Sequence, residues 1–431
     1  MVDKMEFINL LKDHTEKATG CTEIGIVALA CSRGAEELPG EIRSISIEVS
    51  INIFKNAINV FIPGTDMRGI AMACALGAYT KRSDAKLAVL DHITPEIISK
   101  AKKLVENNEV YVKYVNSNDP VYVKASVSDS DNDETQVTIM NNHSNIVNIT
   151  KNGAVLFQSE IEDVTDFNNQ HLLLQHPVKF WIEFIDSLEI SDLDFLVEAA
   201  ELNHAAALDD IKNPGMSLGP SLKLHYEPVA GNCSAICETR RLTGAASEAR
   251  MMGLQVPIMA ITGSGNHGIT NFLGTYAMAK SLGVDDEKLV KSLAITSMIT
   301  IYIKEFTSKL TAFCGCAIAP ATGLAASGVY LLGGSYEEME NAMQSVIGTF
   351  AGMLCDGAKE SCAFKVSTVA SAAVQFAYLA MNGAFVPKNN GIVGNSIEES
   401  FENLGILNNP GMVKTDEVVT ELIQKNLNGN K

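Results

Sequence analysis

The stretch LTAFCGCAIAPATGLAASGVYLLGGSY, residues 310–336, contains no Asp, Glu, Lys or Arg, and the same holds for residues 251–279 and 366–387. Helices of that length are long enough to span a bilayer. Composition points elsewhere, because 310–336 is rich in Gly, Ala, Ser and Thr rather than Leu, Ile and Phe, with Pro320 inside it. Small residues let helix backbones approach closely, and a helix with no polar face has to be covered on all sides. The C-terminal half therefore predicts a mostly α-helical unit with buried central helices.

The N-terminal half reads differently. Apolar residues occupy the odd positions of 45–53 (Ile45, Ile47, Val49, Ile51, Ile53), the period of a half-buried strand. Further strands are expected at 109–115, 121–127, 136–140 and 146–150. The last is joined to a strand at 154–157 by Asn152-Gly153, a hairpin signal. The acidic stretch 128–134 fits a solvated hairpin tip. Thr94-Pro95 starts a helix with an N-cap and a proline at its first position, helices are expected at 70–79 and 84–91, and 192–208 is an amphipathic helix beyond which no strand is evident.

The fold class is α+β. An N-terminal mixed α/β domain over 1–190, with 1–39 helical and packed on the second domain, precedes a mostly α-helical catalytic domain over 191–431. A chain of 431 residues agrees with two or three domains at roughly 150 residues each.

Charge and cysteine usage narrow the function. Lys and Arg number 33 against 51 Asp and Glu, a net charge of −18. No basic face is available for nucleic acid or an anionic membrane, so a small-molecule substrate is the expected partner, with a homodimer as the candidate assembly. The opening residues MVDKMEFINLLKDHTEK hold no continuous apolar segment of the secretory kind, which places the chain in the cytoplasm. Nine cysteines, an odd number, argue against a disulfide framework and leave metal binding and catalysis as uses beside buried thiols.

Four of those cysteines lie in the uncharged half: Cys314 and Cys316 around Gly315, then Cys355 and Cys362. The spacing is not that of a zinc ribbon. It suits either an iron–sulfur cluster held by thiolates from separate helix ends or small apolar residues in an Ala/Gly-rich core; Cys316, Cys233 and Cys237 read as core. Three thiolates on a four-iron cluster would leave one iron open as a Lewis acid. Thr262-Gly263-Ser264-Gly265-Asn266-His267-Gly268 precedes a helix expected at 269–281, so its amides can point at a carboxylate. Asn56 and the Pro63-Gly64-Thr65 turn precede the helix at 70–79. Cys21, after Gly20 and before a helix at 24–31, is expected to feel the positive helix end and have a lowered thiol pKa.

Together, Gly20-Cys21-Thr22-Glu23, Phe54-Lys55-Asn56-Ala57, Ile62-Pro63-Gly64-Thr65, Gly263-Ser264-Gly265-Asn266-His267-Gly268, Tyr302-Ile303-Lys304, 310–316, Cys355-Asp356-Gly357-Ala358-Lys359 and Cys362-Ala363-Phe364-Lys365 resemble the iron–sulfur L-serine dehydratase α-chain-like family, in the branch typified by L-cysteine desulfidase. The resemblance implies a four-iron, four-sulfur cluster with three cysteine ligands, Cys314, Cys355 and Cys362, and no pyridoxal phosphate. It makes Cys21 the catalytic cysteine, as base or temporary fourth ligand, and Asn56, Thr65, Ser264, Asn266 and His267 the substrate-binding residues. The implied reaction is β-elimination of L-cysteine to pyruvate, ammonia and hydrogen sulfide. L-serine dehydration and a non-catalytic iron–sulfur or thiol sensor are the alternatives. Ile24 stands where many relatives have proline, a difference at the helix start.

Overall fold

The computed structural model describes residues 2–91, 93–117, 119–159, 171–212, 215–226, 234–308 and 310–429. Among them are eight strands: β1 (Thr15–Thr19), β2 (Ile42–Ser50), β3 (Val110–Val115), β4 (Val123–Asp129), β5 (Glu134–Ile139), β6 (Ile146–Lys151), β7 (Ala154–Gln158) and β8 (Pro257–Ile261). Six form one mixed sheet in the order β3-β2-β4-β5-β6-β7, and helices dominate the rest of the chain, an α+β fold.

In β2, the alternation of Ile45, Ile47 and Val49 buries all three against Val123, Ala125, Val127, Val137 and Ile139. The expected strand at 45–53 stops at Ser50, and Ile51–Ala57 is helix. Ser50 causes the break by accepting a hydrogen bond from the Ile53 amide at 3.3 Å, an N-cap; Ile53 stays in the core although its period changes. Only β2 and β3 run parallel, so their connection crosses over through the helices Ile51–Ala57, Ile70–Thr80 and Pro95–Glu106. Thr94 caps the last of these as expected. The β6–β7 hairpin turns on Asn152 and Gly153, both at positive φ. At the β4–β5 tip one acidic residue is not solvated. Asp129 is fully buried, and its carboxylate accepts from the amides of Gly40, Asp131 and Asp133.

Segment 1–39 is not wholly helical. Helix Lys4–Asp13 places Phe7 and Leu11 in the helical core, β1 follows, and the helix Thr22–Glu36 packs in the sheet core. Nor is the C-terminal half free of strands, because β8 pairs antiparallel with β1 from Thr15 opposite Ile261 to Thr19 opposite Pro257. Five-residue strands whose partners lie 238–246 residues away leave almost no periodic signal. The 84–91 segment is a 3-10 turn, Ser83–Ala88. The expected helix at 269–281 begins earlier, at Gly265, and carries a π-helical turn, Ile269–Leu273, before Gly274–Leu282.

Gly315–Leu332 and Ser361–Met381 are long and apolar enough to cross a membrane, yet 83% and 50% of their most apolar windows are buried inside the protein. Gly315–Leu332 packs against Asp286–Thr307, Tyr336–Phe350 and Ser361–Met381, so its lack of a polar face is met by protein on all sides. The second core includes Trp181 and Ile185 of the helix Val178–Asp186 together with these helices.

Candidate functional site

The β1–β8 pair delivers two chain segments to one place. From β1 the chain runs through Gly20 to Cys21, the residue that precedes helix Thr22–Glu36. From β8 it turns at Thr262 and Gly263, both at positive φ, and doubles back. Arg250, buried at the end of its helix, holds the two together by donating from Nε to the Gly20 carbonyl at 3.0 Å while packing against Gly265.

Cys21 is almost fully buried. Its thiol donates to Glu23 Oε2 at 2.8 Å, the Thr22 hydroxyl donates to the same oxygen at 3.0 Å, and Asn56 Nδ2 donates to Oε1 at 2.9 Å. Asn56 Oδ1 in turn accepts a long contact from Cys355 Sγ at 3.8 Å. Burial, then the Glu23 carboxylate, push the Cys21 thiol well above its ordinary pKa. This overturns the expectation of a lowered thiol pKa, because the partial charge of a helix end is smaller than the cost of a desolvated thiolate beside a carboxylate. Burial alone pushes Glu23 up, but His143, the Cys21 hydrogen bond and Arg250 outweigh it and hold the carboxyl below its usual value.

The four C-terminal cysteines come from three segments. Phe313 and Leu354 form an antiparallel bridge, with the Cys314 amide on Met353 O at 2.6 Å and the Cys355 amide on Ala312 O at 2.8 Å. Cys362 begins the helix Ser361–Met381, its thiol 3.6 Å from the Gly357 carbonyl. The sulfurs of Cys314 and Cys316 stand 3.2 Å apart. That hydrogen bond, opposed by burial and aided by Lys365, takes Cys314 down to about 7, whereas the same bond, burial and the thiols of Cys314, Cys362 and Cys355 raise Cys316. Burial and the Cys314 charge raise Cys362 to about 11. Cys316 therefore belongs to this group and is more than core filling. Cys237 is half-buried, and Cys233 lies outside the described residues.

No three of these sulfurs lie within 4.8 Å of one another. A mononuclear tetrahedral site with metal–sulfur bonds of about 2.3 Å would need sulfurs about 3.8 Å apart, whereas ligands to different irons of a cluster stand farther apart. The donor set, thiols from three segments beside the Lys365 ammonium, fits a polynuclear iron–sulfur group. Lys365 is itself anchored by Asp356 Oδ1 at 2.6 Å.

His267 joins the two halves of the site. Its Nδ1 is 3.1 Å from the Thr262 hydroxyl, and its Nε2 faces Gly315, where an added Cβ would come within 2.5 Å. Burial, then Lys304 and Arg250, hold its pKa well below the ordinary imidazole value, so the ring is neutral. Ser264 caps the turn by accepting from the His267 amide at 3.4 Å. Asn266 is engaged by the Ser247 hydroxyl at 3.1 Å. Gly357, at φ +93°, lies so close to the Lys55 carbonyl that a Cβ would sit 2.4 Å from it, which brings the Asn56 segment onto the Cys355 loop.

Of the residues expected at the site, Cys21, Asn56 and Cys355 share one hydrogen-bond series, and His267 adjoins Gly315 between Cys314 and Cys316. Thr65 spends its hydroxyl in its own turn, donating to Ile62 O at 2.8 Å and accepting from the Met67 amide at 3.1 Å. Three buried charged residues, Glu23, Arg250 and Lys304, were given no chemical role by the sequence reading, although Glu23 and Lys304 lie in motifs that carry the resemblance. For Arg250 the sequence offers only its position directly before the uncharged run 251–279.

Known proteins resemble this chain over most of its length. The family model described as "Serine dehydratase alpha chain" matches residues 84–421. A UPF0597 protein of Methanocella arvoryzae is 44% identical over 425 residues, 98% of this chain and 99% of that protein. UPF0597 proteins of Clostridium botulinum and Clostridioides difficile are 37% and 35% identical over 97% and 96% of this chain, and over 96% and 98% of their own lengths.

Proposed function

Since the chain belongs to the serine dehydratase alpha-chain family, we propose that it is an iron–sulfur-dependent lyase that eliminates HS⁻ from L-cysteine and releases pyruvate, ammonia and hydrogen sulfide. The observation that carries the reading is the series Cys21–Glu23–Asn56–Cys355, which joins a proton-handling pair to a proposed cluster ligand through one side chain.

Cys314, Cys355 and Cys362 are the proposed ligands of a four-iron, four-sulfur cluster, which when bound would supply Lewis acidity for the leaving sulfur. The chain's own residues do the rest. Asn56, Ser264, Asn266 and neutral His267 orient the amino acid, with Thr65 shaping the loop beside them. Arg250 and Lys304 contribute the positive charge that a substrate carboxylate requires. Cys21 is the proposed acceptor of the Cα proton. Its own proton, which rests against Glu23 Oε2, passes to that carboxylate as the sulfur takes up the Cα proton, and Asn56 fixes the orientation of the carboxylate. Loss of the Cα proton and of HS⁻ leaves 2-aminoacrylate, which tautomerises and takes up water to give pyruvate and ammonia.

L-Serine differs only in its leaving atom. The Cys-Thr-Glu and Cys-Asp-Gly-Ala-Lys forms favour cysteine. Pyruvate release from each amino acid by protein reconstituted with iron and sulfide under anaerobic conditions, with Cys355→Ser as control, tests the reading. Turnover of cysteine that is absent from the control supports it, and iron-loaded protein that acts on neither amino acid overturns it.

A further inference from the structure

Away from the cysteines, three ligand-type side chains from three distant segments meet. His14 ends the helix Lys4–Asp13, His171 precedes the turn Leu172–Gln175, and Glu305 lies near the end of the helix Asp286–Thr307. One donor atom from each lies within 4.8 Å of the other two, and His171 Nε2 is 3.4 Å from Glu305 Oε1. Among the described residues this is the one group of three or more His, Cys, Asp or Glu residues that meets that distance.

Two imidazoles and one carboxylate are the donor set of a borderline divalent ion. Metal–nitrogen and metal–oxygen bonds of about 2.0–2.2 Å at tetrahedral angles put donor atoms about 3.4 Å apart, the separation found between His171 and Glu305. All three residues are half-buried. Water can therefore complete the coordination, while the surrounding protein limits the freedom of the side chains. An ion pair between histidine and glutamate calls for two residues and contributes little; here the β1–β8 pairing brings a second imidazole to the same point and completes a three-donor set. None of the three belongs to the cysteine and His267 machinery.

We propose that His14, His171 and Glu305 bind a divalent transition-metal ion of the zinc type, which fastens the N-terminal helix and residue 171 to the helix Asp286–Thr307. The His14 carbonyl accepts from the Thr262 amide at 2.9 Å, and Glu305 directly follows Lys304. The ion thus braces both segments that flank His267.

Zinc retention after equilibrium dialysis, with metal analysis and thermal melting, tests the site on the full chain, comparing it with His171→Ala and the isosteric Glu305→Gln. Zinc held by cysteines is common to all three proteins and cancels in the comparison, so the outcome does not depend on whether the lyase reading is right. The expected result is one zinc equivalent in the parent chain that raises its melting temperature. Both variants, folded by circular dichroism, bind that equivalent at least tenfold more weakly and lose the zinc-dependent rise. No zinc in the parent chain beyond the amount held by the variants, or its retention by either variant, overturns the proposal.

Discussion

Cys21 and Asn56 share one carboxylate, the thiol 2.8 Å from Glu23 Oε2 and the amide nitrogen 2.9 Å from Oε1. The arrangement ties the residue proposed to take the substrate proton to the residue that contacts Cys355, and Glu23 links them.

Glu23→Gln retains the shape of that link and removes one of its acceptors. Because a misplaced acid–base group costs roughly 10²–10⁴-fold in rate, pyruvate release by the iron-loaded variant is expected to fall at least 100-fold. Its melting temperature should drop by only a few degrees. A variant within twofold of the parent rate would remove Glu23 from the mechanism.

Cys314→Ser and Cys316→Ser separate two thiols 3.2 Å apart. Iron and acid-labile sulfide, measured after anaerobic reconstitution, should be lost in Cys314→Ser and largely retained in Cys316→Ser. The reverse pattern would assign the ligand to Cys316.

Gly315→Ala tests the approach of His267. The new methyl would fall 2.5 Å from Nε2 and displace the ring, so turnover is expected to fall while iron content is kept. Gly268→Ala is a fold probe, because its Cβ would strike the Met259 carbonyl at 1.9 Å. Destabilisation of about 1–3 kcal/mol, read by urea unfolding, is the expected result.

Asp210 is fully buried, neither of its carboxylate oxygens is hydrogen-bonded among the described residues, and burial, then Glu248, raise its pKa to about 8. The folded chain keeps this proton after the unfolded chain has lost it. Its contribution to stability is therefore intact below about pH 4, the ordinary aspartate range, and is lost as pH rises towards 8. Asp210→Asn should melt higher than the parent chain at pH 8, with the difference shrinking towards pH 4. Equal melting curves at both pH values would contradict the assignment.

Lys55 and Asp416 form a buried ion pair at 2.5 Å between the helix Ile51–Ala57 and the C-terminal helix Val413–Gly429. Removing one partner leaves the other charge buried, at about 3–5 kcal/mol. Lys55→Met should lower chemical stability by that order, and the double variant with Asp416→Leu should recover most of it.

Much of the fold was legible from local pattern. The alternation at Ile45, Ile47 and Val49, the Asn152-Gly153 turn and the Thr94-Pro95 helix start each stand where expected, because each is dictated by residues within a few positions of one another. The uncharged stretch 310–336 likewise reported that its helix, Gly315–Leu332, is covered on all sides. The β1–β8 pair and the Ser50 cap at the end of β2 escaped: one is too short to show a period, and the other replaces strand by helix without interrupting the apolar sequence.

For the site, sequence alone determined the inventory: which cysteines, glycines and polar residues are present, and that the Cys21, Asn56, His267 and Cys355 segments resemble one family. Tertiary structure alone decided their electrostatics. The same position at a helix start that would lower an exposed thiol's pKa leaves Cys21 protonated, because burial beside Glu23 desolvates it. Cys316, equally apolar in sequence, becomes the partner that brings Cys314 down to about 7. Desolvation and charge–charge distances depend on residues hundreds of positions apart, and no local pattern in the chain encodes them.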